Sequence, residues 1–398
     1  MGSNDPLGLA LYPSFGAISK SGTVISLENV EGLSAVGRAD EIISTALASL
    51  PLEVYREENN GDIVKAKNHP LYNLVNLSPN QYHTSFLWRE IAQNHIHFQG
   101  NHYCWINRNG NNRAVSLMPI HPRAVTPIVY ENEIWYRVVG IADAINARDM
   151  IHVTGKGYDG ICGIGVIKKY RESLGLGINM RDFGSQFFGN GAHVGGVVTH
   201  PKALTPNAKS RLQDTWNAAY SGVDNVGKTA FLDEGMTYNK IGINPRDAQF
   251  VEKENLVVQD VARMFGIPEY MLAQGNKVYT NIEQVYLEFV RGTIYPMVKR
   301  WEQELNRKLF YQNEQGRYFV RFNLSSLLRG DSKSRAEFYD RLFAVGALSP
   351  NDIRKMESMN AIEGGDRYFV PTNNLTPLDK LDEILLARNG GNQTASNE

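Results

Sequence analysis

The stretch Gly165–Gly189, GVIKKYRESLGLGINMRDFGSQFFG, decides how the rest of the chain is read. At 100° per residue, Ile167, Tyr170, Leu174 and Ile178 fall on one apolar stripe. Leu176, Met180, Phe183 and Phe187 fall on a second, almost diametrically opposite. Lys168, Glu172, Asn179 and Gln186 lie between them, on one side only. A surface helix normally buries one stripe and shows polar residues elsewhere. Two apolar flanks with a single polar edge suit a wedge between two neighbours, with that edge in water. A helix sandwiched within its own chain's core would read the same way, and the pattern leaves both open.

Outward from this helix the chain changes character. On the N-terminal side, Glu31–Leu50 has helical period (Val36, Ala39, Ile42, Ile43, Ala46, Leu47) and stops at Pro51. Short strand-like runs follow. Leu52–Arg56 and Asp62–Ala66 flank Asn60-Gly61, and His102–Asn107 and Ala114–Met118 flank Asn109-Gly110. Val125–Tyr130 and Ile134–Val139 flank Glu131-Asn132, and a helix around Thr84–Phe98 interrupts the series. This half reads as a small α+β unit with a meandering antiparallel sheet.

On the C-terminal side, Phe187–Val198 breaks the helix. A short α/β insert follows, with a helix Pro206–Tyr220 and strands near Thr229–Leu232 and Thr237–Ile243. A second amphipathic helix spans about Pro245–Phe265 (Phe250, Val257, Val258, Val261, Phe265), closed by Gly266 and Pro268. The polar stretch Ala273–Thr280 leads to a capping box, Thr280-Asn281-Ile282-Glu283. The long helix it opens carries a stripe of Ile282, Val285, Phe289, Ile294, Met297, Trp301, Leu305 and Leu309, with Pro296 expected to kink it. A strand at Tyr318–Phe322 and helices at Asp331–Val345 and Ser349–Met359 complete the pattern, and the last twenty-odd residues are polar.

Composition narrows the function. The 398 residues carry 41 Lys+Arg against 42 Asp+Glu, a net charge of −1, so bulk basicity does not hold nucleic acid. Two cysteines, Cys104 and Cys162, cannot make a disulfide framework and suggest a reducing compartment. No apolar run approaches the ~18 residues of a membrane span, and MGSNDPLGLALYP lacks a signal-peptide pattern, so a soluble, intracellularly made protein is expected. Thirty-six glycines exceed the usual share of about 7% and bunch between Gly155 and Gly242.

Three motifs invite chemistry. Gly222–Thr229 satisfies the phosphate-loop spacing, but such a loop needs a strand before it and a helix after it, and the order here is reversed. Gly155, Gly157 and Gly160 form a G-x-G-x-x-G, yet Gly163 and Gly165 delay the helix that a dinucleotide site would require. His95, His97, His102 and Cys104 fit no standard zinc spacing and straddle Gly100-Asn101. No nucleophile elbow, Ser-His-Asp set or carboxylate pair stands out. The reading is a protein without catalytic residues, cofactor or metal.

The order of segments resembles the phage portal family, the ring-shaped connector at one vertex of tailed-phage heads. The resemblance runs from about Val30 to Gly365. It rests on ALASLPLEVY (46–55), HPLYNLVNLSPN (69–80), FQGNHYCWI (98–106), LMPIHPRAV (117–125), DMIHV (149–153) and FFGNGA (187–192). It continues through Tyr220–Leu232, FVEKENLVVQDVARMFGIPEYML (250–272), YTNIEQ (279–284) and Tyr295-Pro296.

The resemblance implies a multi-part, ring-forming α+β fold. Its parts would be an α+β wing facing the capsid shell (30–162), a first stem helix (163–192), an α/β clip (193–244) and a second stem helix (245–266), while the Gly/Ser/Pro-rich residues ahead of it (1–29) read from composition as a flexible segment. A tunnel loop (267–280), a long kinked helix with a strand returning to the wing (281–328) and a short helical crown (329–365) would follow, and beyond the resemblance the polar residues 366–398 read as a disordered tail.

It also implies partners. Copies of the chain would form a ring, usually twelvefold in the family, in the virion, assembled in the host bacterial cytoplasm. Double-stranded DNA would pass Gln274, Gly275, Asn276, Lys277, Tyr279 and Thr280. The terminase large subunit and a head-completion or adaptor protein would dock on the clip, through Asp224, Asn225, Lys228, Asp233 and Glu234. The major capsid or scaffold protein would meet the wing, and no membrane is involved. Lys168, Glu172, Asn179 and Gln186 would lie on the uncovered stem edge, lumenal or outer. The rivals are a phosphate-loop ATPase and another head–tail ring component such as an adaptor.

Overall fold

The computed structural model describes residues 17–189, 196–220, 232, 235–240, 250–272, 282–324, 327, 332–357, 359–372, 374–377 and 380. The chain divides into two compact units, Met1–Asn323 and Leu324–Glu398.

The first unit opens with a hairpin, β1 (Ala17–Ile18) and β2 (Val24–Ile25), then α1 (Leu27–Glu31), whose first turn is capped by Ser26 Oγ accepting from the Asn29 amide. The sequence suggested a loose segment through residue 29. Instead Ile25 and Val30 are fully buried, because the hairpin lies against a later helix. In α2 (Ser34–Ser49), Val36, Ala39, Ile43 and Leu47 are all inaccessible, as their spacing demands.

Next come β3 (Leu52–Glu57) and β4 (Ile63–Lys65), turned at Gly61 with φ +87°, then α3 (Pro70–Asn76) and α4 (Ser85–Gln99). Thr84 caps the start of α4 and left-handed Gly100 ends it. β5 (Asn101–Arg108), β6 (Ala114–Ile120), β7 (Val125–Tyr130), β8 (Glu133–Val138), β9 (Ile145–Asn146) and β10 (Met150–Thr154) follow. The β7–β8 turn places both Glu131 and Asn132 at positive φ, as a two-residue hairpin requires. In the β5–β6 hairpin the positive φ falls on Asn112 rather than at Asn109-Gly110. There Asn109 Oδ1 accepts from the amides of Asn111 and Arg113 and moves the reversal along the chain.

Strands β3 to β10 together with β13 (Tyr318–Phe322) form three small antiparallel sheets rather than one meander, ordered β10-β5-β6, β7-β8-β9 and β13-β3-β4. β13 therefore returns to β3 from far along the chain. A helix closes the open edges of two of these sheets. After α5 (Val166–Lys169), α6 (Arg171–Gly189), β11 (Gly196–Thr199), α7 (Pro206–Tyr220), β12 (Thr237–Lys240), α8 (Phe250–Phe265) and α9 (Ile282–Phe289), the chain makes a π turn at Val290–Ile294 and continues as α10 (Tyr295–Leu309). The irregularity predicted from Pro296 is this wide turn, since proline offers no N–H to a regular one.

In α10, Val298, Trp301 and Leu305 are fully buried, and Trp301 meets Trp88 edge-on at 5.3 Å. Its polar residues serve backbone. Asn306 donates to the Val320 carbonyl (3.1 Å) and accepts from the Val320 amide (2.6 Å), and Glu302 accepts from the Phe322 amide (2.9 Å). Glu304 accepts from the His152 amide at 3.0 Å. Among the described residues β13 and β10 each pair with a strand on one side, and these side chains hydrogen-bond backbone groups on the other.

In the second unit, α11 (Ser332–Ala344) and α12 (Pro350–Met356) match the two predicted helices, and Ser349 and Asp352 form a reciprocal capping box. Phe369–Thr372 (β14) and Asn374–Pro377 (β15) pair as antiparallel strands where the sequence suggested a structureless tail from residue 366.

Candidate functional site

The glycines before α5 hold two chain segments together. An added Cβ on Gly100 would fall 2.5 Å from the Gly163 carbonyl, and one on Gly163 would come closer still to the Gly100 carbonyl. The Gly155 amide donates to the Gly100 carbonyl at 2.8 Å. Asn101 brackets Gly163, accepting from its amide at 2.8 Å and donating to its carbonyl at 3.0 Å. Backbone thus crosses backbone with no room for side chains, and α5 starts only at Val166. The G-x-G-x-x-G lies before that start, so no helix N-terminus follows its glycines as a dinucleotide site requires.

α6 resolves its two-sided pattern asymmetrically. Ile167 in α5 and Leu174 and Ile178 in α6 are buried in the chain's own core. Leu176 is 57% and Phe183 51% exposed, and Leu256 on neighbouring α8 is 55% exposed. The core reading describes one flank, and the other is left exposed. Beside the open flank, Gly177, Met180 and Gly184 of α6 face Val257 and Val258 of α8 and Leu33 across a cleft of about 340 Å³.

The polar edge is occupied in part. Glu172 accepts from the Lys20 amide (3.0 Å), and Asn179 accepts from Thr23 Oγ1 (3.0 Å) and donates to Ser21 Oγ (3.4 Å). The N-terminal hairpin thus lies along this edge. Lys168 and Gln186 are exposed. Nothing in the sequence marked residues 19–23 as the edge's partner, because these contacts run through backbone and short hydroxyls without periodicity.

The stretch that holds the tunnel-loop residues Gln274, Gly275, Asn276, Lys277, Tyr279 and Thr280 lies outside the described residues, as do Asp224, Asn225, Lys228, Asp233 and Glu234. Of the insert, β11 pairs with β12, a strand pairing in which β11 was not foreseen. The helix α7 ends at Tyr220, immediately before the phosphate-loop look-alike, which gives a helix where a nucleotide site needs a strand.

The histidines and cysteine considered as zinc ligands diverge. His97 pairs with Asp40 at 2.6 Å, while His95 turns to His102 (Nδ1–Nδ1 3.4 Å) and stacks edge-on with His121. Burial pulls His95 down to about 4 and holds His102 well below the usual imidazole range, so both are neutral. Burial also pushes the Cys104 thiol up, which keeps it protonated and unreactive. Among the described residues no three His, Cys, Asp or Glu side chains converge on a metal position. Among them, too, no helix is long and apolar enough to cross a membrane.

Comparison with known proteins agrees with this architecture. The family model described as "Phage portal protein" matches residues 34–358. The portal protein of Enterobacteria phage HK97 is 31% identical over 350 residues, covering 86% of this chain and 82% of that protein. The crystal structure of an HK97 family phage portal protein from Corynebacterium diphtheriae shares the fold, with a TM-score of 0.59 at 18% identity, covering 76% of this chain and 96% of that one. The neck of a native gene transfer agent particle, computed with C12 symmetry, gives a TM-score of 0.55 at 18% identity over 87% of this chain and 96% of its own. With the family model matching residues 34–358 and a relative 31% identical over 86% of its length, the chain belongs to the phage portal protein family.

Proposed function

We propose that this chain is one copy of a closed ring at a capsid vertex, through which double-stranded DNA enters and leaves the head. The observation that carries the reading is the divided surface of α6. One apolar flank is buried by the chain itself, and on the other Leu176 and Phe183 stand about half exposed, as does Leu256 on the neighbouring α8. Large side chains exposed together on paired helices mark an interface, and a head-to-tail contact repeated around an axis covers them in every copy. The twelvefold symmetry of the gene transfer agent neck supports twelve as the first number to test.

In this reading residues 30–162 form the wing, α5–α6 and α8 the stem, residues 193–244 the clip, and residues 329–365 the crown. The clip would receive the terminase large subunit and a head-completion or adaptor protein through Asp224, Asn225, Lys228, Asp233 and Glu234, and the wing would meet the shell. The chain itself performs no chemistry, and the docked terminase drives translocation. A net charge of −1 suits a conduit, because a wall that neutralised many phosphates would release counterions and hold DNA fast.

The stretch 274–280 holds a single charge, Lys277, and with Asn276 it would touch the DNA backbone weakly and without sequence preference. Electron microscopy of the purified protein tests the ring directly: annular particles with a hole wide enough for duplex DNA are expected, and particles that stay monomeric at high concentration would sink the reading. Lys277→Glu is expected to leave rings intact while lowering the amount of DNA packaged or retained. Unchanged packaged length and infectivity would remove Lys277 from the DNA path.

A further inference from the structure

The sequence holds four Asn-Gly pairs, and two of them lie in described hairpin turns, Asn60-Gly61 after β3 and Asn109-Gly110 after β5. Asparagine before glycine is chemically labile, because the glycine amide nitrogen lies close to the asparagine side-chain carbonyl and no Cβ hinders its approach.

The two turns prepare that reaction differently. At Asn109, Oδ1 accepts from two backbone amides, Asn111 at 3.1 Å and Arg113 at 3.0 Å. Two amides aimed at one carbonyl oxygen stabilise the negative charge that forms when its carbon becomes tetrahedral. The turn is held in this shape by the Asn109 amide on the Arg113 carbonyl (2.9 Å) and the Asn112 amide on the Asn109 carbonyl (2.8 Å). Among the described residues nothing accepts a hydrogen bond from the Gly110 amide or from Asn109 Nδ2. A Cβ added to Gly110 would meet nothing within 4 Å, so the attacking nitrogen stands open to a base from solvent.

At Asn60 the same groups are engaged. The Gly61 amide donates to the Glu58 carbonyl at 3.0 Å, and Asn60 Nδ2 donates to Asp62 Oδ2 at 2.6 Å. Asn60 Oδ1 has one amide partner, Asp62 at 3.1 Å. The Asp62 carboxylate also sets a negative charge beside a carbon whose reaction would add another.

We propose that Asn109 is a self-modification site, converted by the Gly110 amide to a succinimide and then to aspartate or isoaspartate. Hydroxide removes the Gly110 amide proton, and the nitrogen bonds to Cγ of Asn109. The Cγ–Nδ2 bond then breaks, and Nδ2 takes a proton from water and leaves as ammonia. A water molecule opens the ring at either carbonyl, giving aspartate or a main chain rerouted through the side-chain carbon. Nothing is oxidised or reduced. One added carboxylate takes the net charge of the chain from −1 to −2. It stands in a turn that also carries Arg108 and Arg113, the latter over the Tyr311 ring at 5.8 Å. Old and new copies of the chain would thus differ in charge and backbone at one place.

The test incubates the full-length protein in warm, mildly alkaline buffer made with heavy-oxygen water, so that only conversion during incubation carries the label. Peptide mapping by mass spectrometry reads labelled acid at both sites. Conversion at Asn109 is expected to exceed that at Asn60 at least about tenfold. In urea, where both turns are lost, the ratio is expected to collapse towards one. Equal conversion in the folded chain overturns the proposal, and so does a ratio that survives urea, which would trace it to flanking sequence. Gly110→Ala places a methyl in open space and is expected to keep the melting temperature while lowering conversion at Asn109 at least tenfold. Unchanged conversion in that variant overturns the Gly110 amide as nucleophile. The wild-type ratios decide the proposal even if the variant fails to fold.

Discussion

Helices α10 and α6 are of similar length and both carry strong apolar stripes, yet the chain treats them oppositely. α10 is enclosed by its own chain. Val298, Trp301 and Leu305 are inaccessible, and Glu302, Glu304 and Asn306 hydrogen-bond the free edges of two sheets. α6 is half finished, with Ile178 3% and Phe183 51% exposed on opposite sides. The contrast separates what folds the subunit from what joins subunits, because burial within one chain stabilises the monomer and an uncovered stripe stabilises only an assembly.

Acid should act on the α10 side first. Buried His95, drawn down to about 4, and half-buried His152, drawn down to about 3, are held neutral by desolvation, and the His152 amide donates to Glu304 of α10. In the unfolded chain both take up a proton near pH 6.5, so the unfolded state binds more protons below that value. Stability is then full above pH 6.5 and falls by about 1.4 kcal/mol per pH unit for each histidine as the pH drops towards 4. Urea titrations at stepped pH check this, and a flat profile between 6.5 and 4.5 contradicts it.

Trp301→Ala removes the centre of the Trp88 contact and is expected to destabilise the subunit by about 3–5 kcal/mol in chemical unfolding. Asn306→Leu keeps side-chain volume but strips both hydrogen bonds from Val320, for a loss of about 1–3 kcal/mol. Phe183→Ser should move monomer stability by less than about 0.5 kcal/mol, the range of exposed positions. The same variant should abolish rings in light scattering or microscopy. A Phe183→Ser protein that unfolds easily, or still closes into rings, erases the distinction between the two helices.

Much of this architecture is written in period and punctuation. The stripes of α2 and α10, the Thr84 and Ser349 caps, and the hairpins at Gly61 and Glu131-Asn132 are local signals, and local physics delivers them. What could not be read is long-range. The meander became three sheets because β3 and β5 find β13 and β10, partners chosen by α10 lying between them. The N-terminal hairpin escaped because two-residue strands have no period, and β14–β15 because short polar strands resemble a tail. At the candidate site, the sequence located both flanks of α6 but could not say which one the chain itself would cover. That depended on where α1, α2 and α8 pack.

The crossing at Gly100 and Gly163 has a mechanical meaning. Side chains in contact can yield by changing rotamer, whereas two backbones in contact cannot. A pull along α5 and α6 therefore reaches the end of α4 and the start of β5 as through a rivet, with Asn101 as its pin. Any displacement imposed on that helix pair would carry this corner of the α+β unit along as one piece.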